Sequence, residues 1–258
     1  MAVFTSICLK YGTLYGPEYV NRLFAGLRRQ SAGEIRLWCM TDDPRGIDPR
    51  VGILPLPDEP FAARMEAALA TAPKRGRLKK ISLFRPGLIP DHAGPILVLD
   101  LDIAITGAVE PLFSHAPGKV CMRREWRGSS RAPSLGHGSV ERFDPALHPY
   151  LYDVMARDPE AAVAFGLGSE QTDTSKSADR AGDLAFYPDA WIASFKYDCR
   201  PTRPLNLFRE PHLPPEAKVV CFHGRPKMPE AVSGYRAGPF QSTRPCTWLR
   251  KAWIGDAE

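Results

Sequence analysis

The sequence predicts an α/β protein built as one domain around a mixed sheet that is flanked by helices. A strand, a helix and a second strand follow one another at the start of the chain, and such a unit pairs its strands in parallel through a right-handed crossover. The unbroken apolar run Ile96–Leu99 is typical of a strand covered on both faces. The 258 residues, 44% of them hydrophobic and 24% charged, suffice to bury a full core.

The first half of the chain alternates between strand and helix patterns. Val3–Leu9 is predicted to be the first strand and Ile35–Met40 the second. Between them, Pro17–Leu27 is predicted to be a helix, because proline suits a first turn and because the apolar residues fall on one face. Helical patterns then cover Phe61–Ala70 and Leu78–Phe84, just before the apolar strand.

The second half of the chain is less regular. Lys119–Met122 is predicted to be a strand, and a helix is predicted through Leu151–Met155. The polar residues 166–183 are rich in Gly, Ser, Thr and Asp, which predicts a long loop. Trp191–Tyr197 and Lys218–His223 are predicted to be late strands.

Composition and charge narrow the possible classes of protein. No stretch reaches the length of a membrane span, and the N-terminus lacks the features of a secretory signal, which predicts a cytoplasmic protein. The six cysteines are scattered and form no C-x-x-C pair, so buried reduced thiols are expected. The dinucleotide fingerprint and the phosphate-binding P-loop motif are both absent. Positive charge is concentrated at residues 74–80, at 123–131 and near the C-terminus, and the formal net charge is +5. Such clusters either only keep a surface solvated or bind a phosphorylated ligand or an anionic membrane.

Two aspartates follow the apolar strand directly. In an extended chain Asp100 and Asp102 point to the same side, so both can face one divalent cation and the phosphates that it carries. Ligands of open α/β sheets bind beyond the carboxyl ends of such strands. The alternative is that the pair is only a solvated strand end.

A second group of candidate binding residues lies at the end of the late apolar strand. His223 is available as a metal ligand, Gly224 lets a ligand approach the backbone closely, and Lys227 offers a point charge for a phosphate. The alternative is a hydrogen-bonded histidine at a strand end beside a solvated lysine.

Taken together, these segments resemble the GT-A glycosyltransferases, particularly the retaining group that includes glycogenin and bacterial lipooligosaccharide galactosyltransferases (family 8). The resemblance lies in the first strand with its Tyr11/Tyr15 loop, the basic segment Leu78–Phe84, the D-x-D motif in Leu99–Asp102, the acidic-Gln pair in Ser169–Gln171 and the H-x-G-x-x-K-like segment His223–Lys227. It implies a single GT-A (Rossmann-like) domain over residues 1–258, with a nucleotide-binding half at about 1–106 and an acceptor-side half at about 107–243.

The resemblance also implies a metal and phosphate site. Asp100, Asp102 and His223 would be the protein ligands of a Mn²⁺ or Mg²⁺ ion, and Asp100 would also contact the nucleotide. Gly224 and Lys227 would hold the diphosphate of the donor.

Further roles follow for the rest of the donor. Tyr11 would stack on the uracil of a UDP-sugar, Lys80 would contact the donor, and Glu170 and Gln171 would act near the transferred sugar. Residues 135–139 depart from the Asn-Ala-Gly segment common in the family, and Glu170 stands where aspartate is commoner.

The function that the resemblance implies is metal-dependent transfer of a sugar from a nucleotide sugar to a hydroxyl of a glycan or lipid-linked acceptor, with retention. One alternative is a sugar nucleotidyltransferase, whose Gly-rich first loop is not visible between Leu9 and Val20. Another is a non-catalytic module that binds a polyanion or a membrane, although no nucleic-acid motif is evident. The basic, aromatic tail 244–258 either makes peripheral contact with an anionic membrane or packs its tryptophans on the domain.

Overall fold

Two β-sheets form the framework of the protein. The computed structural model describes residues 2–73, 78–126, 135–238 and 242–255. Its strands are β1 (Val3–Lys10), β2 (Glu34–Thr41), β3 (Gly52–Pro55), β4 (Ile96–Leu99), β5 (Ile103–Ile105), β6 (Val120–Arg124), β7 (Gly136–Phe143), β8 (Leu184–Phe186), β9 (Ile192–Ser194) and β10 (Val219–Cys221).

Helices cover both faces of the larger sheet, and short helices are the last described elements of the chain. The α-helices are α1 (Pro17–Arg29), α2 (Ala62–Thr71), α3 (Glu110–Ser114), α4 (Tyr150–Arg157), α5 (Pro159–Phe165), α6 (Glu170–Arg180), α7 (Met228–Ser233) and α8 (Thr247–Leu249). Short 3-10 helices lie at Leu78–Phe84, Asp189–Trp191 and Leu205–Leu207, and π-helices at Phe195–Cys199 and Arg250–Ile254.

The larger sheet confirms the predicted mixed architecture. Its seven strands lie in the order β3-β2-β1-β4-β7-β6-β8. The strands β1 to β4 pair in parallel, whereas β7 runs antiparallel to both β4 and β6. The β1-α1-β2 unit is therefore the parallel unit that the sequence predicts. Pairing of Cys8 with Leu99 brings the carboxyl ends of β1 and β4 to the same edge of the sheet.

The smaller sheet begins where β4 ends. Only Asp100, Leu101 and Asp102 separate β4 from β5, which belongs to the three-stranded sheet β5-β10-β9. The N–H of Phe222, just after β10, donates a hydrogen bond to the carbonyl oxygen of Asp102 at 2.9 Å. The two aspartates therefore lie at the junction of the two sheets, and His223 follows two residues after the neighbouring strand β10.

Apolar side chains pack on both faces of the larger sheet, as the unbroken run in β4 predicts. Leu97 and Leu99 belong to the cluster that includes the buried face of α1, and Ile96 and Val98 to the cluster on the opposite face. The four side chains are at most 2% exposed. The six cysteines are buried free thiols, as expected.

Three segments differ from the sequence prediction. Residues 166–183 were predicted to be a long loop, but α6 occupies Glu170–Arg180. Its Ser and Thr side chains are buried against neighbouring elements, and this tertiary burial outweighs their weak helix propensity. The predicted helix Leu78–Phe84 is a 3-10 helix, and the predicted strand Trp191–Tyr197 is a strand only from Ile192 to Ser194. Parts of two basic clusters, residues 74–77 and 127–131, lie outside the described residues.

The tail packs on the domain, which was one of the two alternatives that the sequence left open. Trp253 is 2% exposed, and its ring centroid lies 5.3 Å from that of Tyr19. The guanidinium of Arg22 lies over the same ring at 4.2 Å. Trp248 donates its indole N–H to the carbonyl oxygen of Pro211 at 2.9 Å. Across the part of the chain that the structure describes, no helix is both long and apolar enough to cross a membrane.

Candidate active site

The centre of the candidate site is the carboxylate of Asp102. The hydroxyl of Tyr15 donates a hydrogen bond to its Oδ2 atom at 2.8 Å, and Nζ of Lys227 lies 3.3 Å from the same oxygen. Lys227 also donates to the Tyr15 hydroxyl oxygen at 3.0 Å. Three distant segments of the sequence, the β1-α1 loop, the β4-β5 junction and the turn before α7, therefore meet at one carboxylate.

The two aspartates of the junction repel each other electrostatically. Burial raises the pKa of Asp102, and the negative charge of Asp100 raises it further, while the contacts with Tyr15 and Lys227 act in the opposite direction. Burial and the charge of Asp102 raise the pKa of the Tyr15 hydroxyl, so Tyr15 stays a hydrogen-bond donor at neutral pH. A divalent cation fits this pair, because carboxylate oxygens are its preferred ligands and its charge relieves the repulsion.

Asp100 is paired with a different lysine. Nζ of Lys80, from the 3-10 helix before β4, lies 3.1 Å from Oδ1 of Asp100 and donates to the carbonyl oxygen of Gly138. It also lies 4.0 Å from Oε1 of Glu141. Burial opposes the charge of Lys80, but Asp100, Glu141 and Glu170 outweigh it and raise the lysine's pKa. Lys80, whose side chain is 12% exposed, is therefore a largely buried cation at neutral pH.

Acidic side chains with raised pKa values lie beside this lysine and along α6, and sequence reasoning missed two of them, Glu141 and Asp173. Glu141 in β7 is completely buried, and burial together with Glu170 and Asp100 raises its pKa well above the ordinary value. Burial also raises the pKa of Glu170, and it raises that of Asp173, one turn along α6, to about 7. The detectable signal in the sequence was a glutamate within the strand-like run Ser139–Phe143.

The predicted acidic-Gln pair lies at the first turn of α6, next to these groups. Gln171 accepts a hydrogen bond from the N–H of Gly138 at 3.3 Å and donates to Oε2 of Glu125 at 3.1 Å. A Cβ atom at Gly138 would lie 2.9 Å from Oε1 of Glu141 and 3.1 Å from Cβ of Gln171, so a larger residue here would force these side chains to shift. The structure therefore brings Glu170 and Gln171 together with Lys80 and Asp100.

His223 makes contacts of its own. Its Nε2 atom lies 2.8 Å from the hydroxyl oxygen of Ser194, and its ring centroid lies 5.2 Å from Trp126 and 5.7 Å from His137. Burial, with the neighbouring His137 and Lys196, lowers the pKa of His223 to about 4, so the imidazole is neutral at pH 7. Neutral imidazole is the form that binds metals.

The metal site that the sequence predicts is assembled only in part. Asp100 and Asp102 share the junction, and His223 lies two residues beyond the end of the adjacent strand β10. Among the described residues, however, no three His, Cys, Asp or Glu side chains form a cluster that could hold a metal ion. The role of His223 as a third ligand stays a prediction.

Two clefts are lined by further predicted residues, Tyr11 and Gly224. Tyr11, at the end of β1, lines a cleft of about 1070 Å³ together with Lys79 and residues 56–63. Gly224 lines a second cleft of about 730 Å³, with a φ of +87° that favours glycine. The side chain of Lys227 contacts Asp102 and Tyr15.

Comparison with known proteins supports the fold. No protein-family model matches the chain, and a comparison with curated protein sequences finds no match either. Among solved structures, an active-site mutant of LgtC is similar at a TM-score of 0.58 and 10% identity, over 87% of this chain and 89% of that one. Mouse xyloside xylosyltransferase 1 is similar at 0.51 and 13% identity, over 87% and 98%.

A third solved structure extends the same likeness. The glycosyltransferase GlyE of Streptococcus pneumoniae is similar at a TM-score of 0.54 and 11% identity, over 87% of this chain but 56% of its own. The structural similarity establishes the fold, whereas identities this low leave the activity to be argued from the site. The chain therefore has the GT-A fold of the LgtC-like glycosyltransferases.

Proposed function

We infer that this protein is a glycosyltransferase that moves a sugar from a nucleotide sugar to an acceptor hydroxyl. The observation that carries the proposal is the meeting of two carboxylates and two lysines, Asp100 with Lys80 and Asp102 with Lys227, at the carboxyl end of β4 in a GT-A fold. In α/β sheets this edge is where ligands bind.

In this proposal the phosphates of the donor bind at the junction of the two sheets. Asp100 and Asp102 would hold a divalent cation such as Mn²⁺, with His223 as a third ligand, and the cation would neutralise charge on the departing diphosphate. Lys227 supplies a positive charge to the same diphosphate, and the backbone of Gly224 lets it approach. Binding of the ion requires that Lys227 moves from Asp102 to the phosphate.

The rest of the donor extends to either side of the diphosphate. We assign the base, as uracil, to the cleft beside Tyr11, and the sugar to the region of Lys80, Glu170 and Gln171. In the proposed retaining reaction the bond between the anomeric carbon and the phosphate oxygen breaks with its electron pair on the phosphate. The acceptor oxygen bonds to the same face of that carbon, its proton passes to the departing phosphate, and Glu170 supports the transient positive charge.

The two halves of the domain divide these tasks in our proposal. Residues 1–106 bind the nucleotide, and residues 107–243 shape the acceptor side.

Peripheral contact with an anionic membrane, on its cytoplasmic side, is a secondary proposal. Its support is the set of exposed tail cations Arg244, Arg250 and Lys251, since Trp253 is used in the core. Substituting the three cations with glutamine should abolish co-sedimentation with anionic vesicles, and unchanged co-sedimentation would refute the contact.

A screen of nucleotide sugars for hydrolysis tests the proposed function, because water can replace the missing acceptor. We expect release of UDP that requires Mn²⁺ or Mg²⁺. Asp102→Asn should lower this rate by about 100-fold or more, the usual effect of removing one group that stabilises developing charge. The matched control is Asp179→Asn, whose carboxylate is exposed near the end of α6. Hydrolysis of no donor, or full activity in Asp102→Asn, would contradict the proposal.

A further inference from the structure

The segment Leu205–Phe208, between β9 and β10, presents large apolar side chains to solvent and is named the apolar loop. Its first three residues form a 3-10 helix. Phe208 is 75% exposed, and Leu205 and Leu207 are 39% and 37% exposed. Asn206, the polar residue among them, is 1% exposed. The usual pattern of burial is therefore reversed, because the apolar side chains face solvent and the polar side chain is buried.

Hydrogen bonds hold the apolar loop in this orientation. The side-chain amide of Asn206 donates to the carbonyl oxygen of Ser242 at 2.8 Å. The N–H of Phe208 donates to the carbonyl oxygen of Leu205 at 3.0 Å, which closes the turn. These bonds keep the amide inside the protein and the apolar side chains outside. Exposed apolar groups that are grouped in this way mark a surface that contacts a partner or a membrane.

Positive charge borders the apolar loop. Leu207 and Phe208 line a cleft of about 670 Å³ together with Arg236 and Arg244, and both arginines are exposed. Arg209, which follows the loop directly, is exposed as well. Among the described residues that line this cleft, none is acidic. Apolar side chains bordered by cations complement an anionic lipid surface, because the apolar groups enter the acyl boundary while the cations contact the headgroups.

The tail begins beside the chain that leaves the apolar loop. The carboxylate of Glu210 accepts hydrogen bonds from the backbone N–H and the hydroxyl of Thr247, and the indole of Trp248 donates to the carbonyl oxygen of Pro211. The acidic residue nearest to the loop in sequence is therefore engaged by the tail. The following residues of the tail include two exposed cations, Arg250 and Lys251.

The apolar loop also lies near the candidate active site. The helix α7 begins directly after Lys227, and its last residue, Ser233, lines the same cleft as Phe208. The six residues of α7 span about 9 Å. A membrane that covered this cleft would therefore lie close to the lysine that we assign to the diphosphate of the donor.

We propose that the apolar loop inserts into an anionic membrane, with Phe208 entering deepest and with Arg209, Arg236 and Arg244 against the lipid phosphates. The inference deepens the membrane contact proposed above for the tail, because it names the element that leaves water. It rests on the proposed function for its purpose, which is to bring a lipid-linked acceptor to the junction. A contact through charge alone would leave Phe208 in water, so the two kinds of contact are distinguishable.

A fluorescent label at position 208 measures insertion directly. The six native cysteines are buried, so in F208C the new thiol is the one exposed to a nitrobenzoxadiazole reagent. The labelled protein is mixed with vesicles of phosphatidylcholine alone, or of two parts phosphatidylcholine to one part phosphatidylglycerol. With the anionic vesicles we expect a blue shift of the emission and quenching by spin-labelled lipid. Unchanged emission with these vesicles would overturn the inference.

The matched control carries the label at another exposed leucine. Leu147, before α4, is 56% exposed, and a label on L147C should keep its emission when anionic vesicles are added. Equal blue shifts at the two positions would show that the label itself enters the lipid, and they would overturn the inference.

Unlabelled variants test whether the native side chains bind the membrane. L207S/F208S changes exposed side chains and is expected to fold, which its thermal unfolding checks. It should weaken binding to the anionic vesicles at least tenfold in a co-sedimentation titration, because two apolar groups no longer leave water. L147S should bind as wild type does. Binding of L207S/F208S at wild-type strength would overturn the inference.

Other outcomes distinguish the occupant of the surface and the proposed function. If wild type forms a dimer in sedimentation equilibrium that L207S/F208S does not form, a second copy covers the apolar loop and the inference is wrong. Without vesicles, L207S/F208S should release UDP at the wild-type rate, since none of the residues assigned to the donor lies in the loop. If the label inserts but no donor is hydrolysed, the proposed function fails alone. If a donor is hydrolysed and the label stays in water, the membrane inference fails alone.

Discussion

Replacing Lys80 with methionine removes the cation that lies between Asp100 and Glu141. At an effective dielectric constant of about 20, unit charges separated by the 3.1 Å between Lys80 and Asp100 attract each other by about 5 kcal/mol. The net loss is smaller, because the Asp100 side chain is 36% exposed and Glu141 holds a proton readily. Breaking a buried pair by removing one partner costs ~3–5 kcal/mol, and we expect the lower end, about 3 kcal/mol.

The effect should depend on pH in a defined direction. In K80M the folded-state pKa values of Glu141 and Glu170 rise further above those of the unfolded chain, because no cation offsets their burial. As pH rises, the unfolded state then loses protons before the folded state does, so the variant loses stability from about pH 4 upward. In wild type, Lys80 still stabilises the folded state at pH 8, because this stabilisation is fully present at any pH below the pKa of an unfolded lysine, about 10.4.

Thermal unfolding measured at pH 5 and pH 8 tests this reasoning. For a chain of this size a loss of about 3 kcal/mol lowers the melting temperature by roughly 6–12 °C. The effect should be larger at pH 8. The double variant K80M/E141Q should lose less than the two single changes added together, by about 1 kcal/mol or more, because the two side chains interact. An additive cycle, or a K80M variant as stable at pH 8 as wild type, would refute the assignment of Lys80 as a buried cation.

Two further predictions concern stability. Leu27→Ala, at a side chain of α1 with 0% exposure, should lower the free energy of unfolding by about 2–5 kcal/mol in urea titrations, whereas Leu147→Ala, at 56% exposure, should change it by less than about 0.5 kcal/mol. Equal effects would contradict the placement of α1 in the core. Asp173→Asn should be more stable than wild type at pH 8 and lose that advantage at pH 4, because the raised pKa of about 7 makes the folded wild type less stable as its unfolded carboxyl ionises first. A difference in stability between the variant and wild type that does not change with pH would show that other contacts offset the burial of the Asp173 carboxylate.

The parts of the fold that were predictable from the sequence are those with a strong local pattern. The strand β4 has four apolar residues in a row, and α1 has a proline at its start and one apolar face. The helix α6 has neither, because it buries Thr172, Thr174 and Ser175 rather than leucines. Its stability comes from neighbours distant in sequence, so its composition indicated a loop.

The residues of the candidate site also divide into those with a local sequence pattern and those defined by distant contacts. Asp100, Asp102 and Lys227 follow apolar strands or lie in short motifs, which marked them in the sequence. Nothing local indicates that Tyr15 donates to Asp102, since 87 residues separate them. Likewise, Glu141 becomes significant only when Lys80, 61 positions earlier in the chain, is placed 4.0 Å away.

The arrangement of charges follows from the break between the two sheets. The chain leaves β4 and enters β5 after three residues, so the carboxylates of the junction cannot be surrounded by solvent on every side. Each is therefore partnered by a lysine from a separate segment, Lys80 from before β4 and Lys227 from after β10. The two lysines differ in what they can do next. Lys80 is enclosed by Asp100, Glu141 and the carbonyl of Gly138, so it stays in place and fixes the local charge. The Lys227 side chain is 31% exposed, so in our proposal it is the cation that moves from Asp102 to the phosphate of the donor.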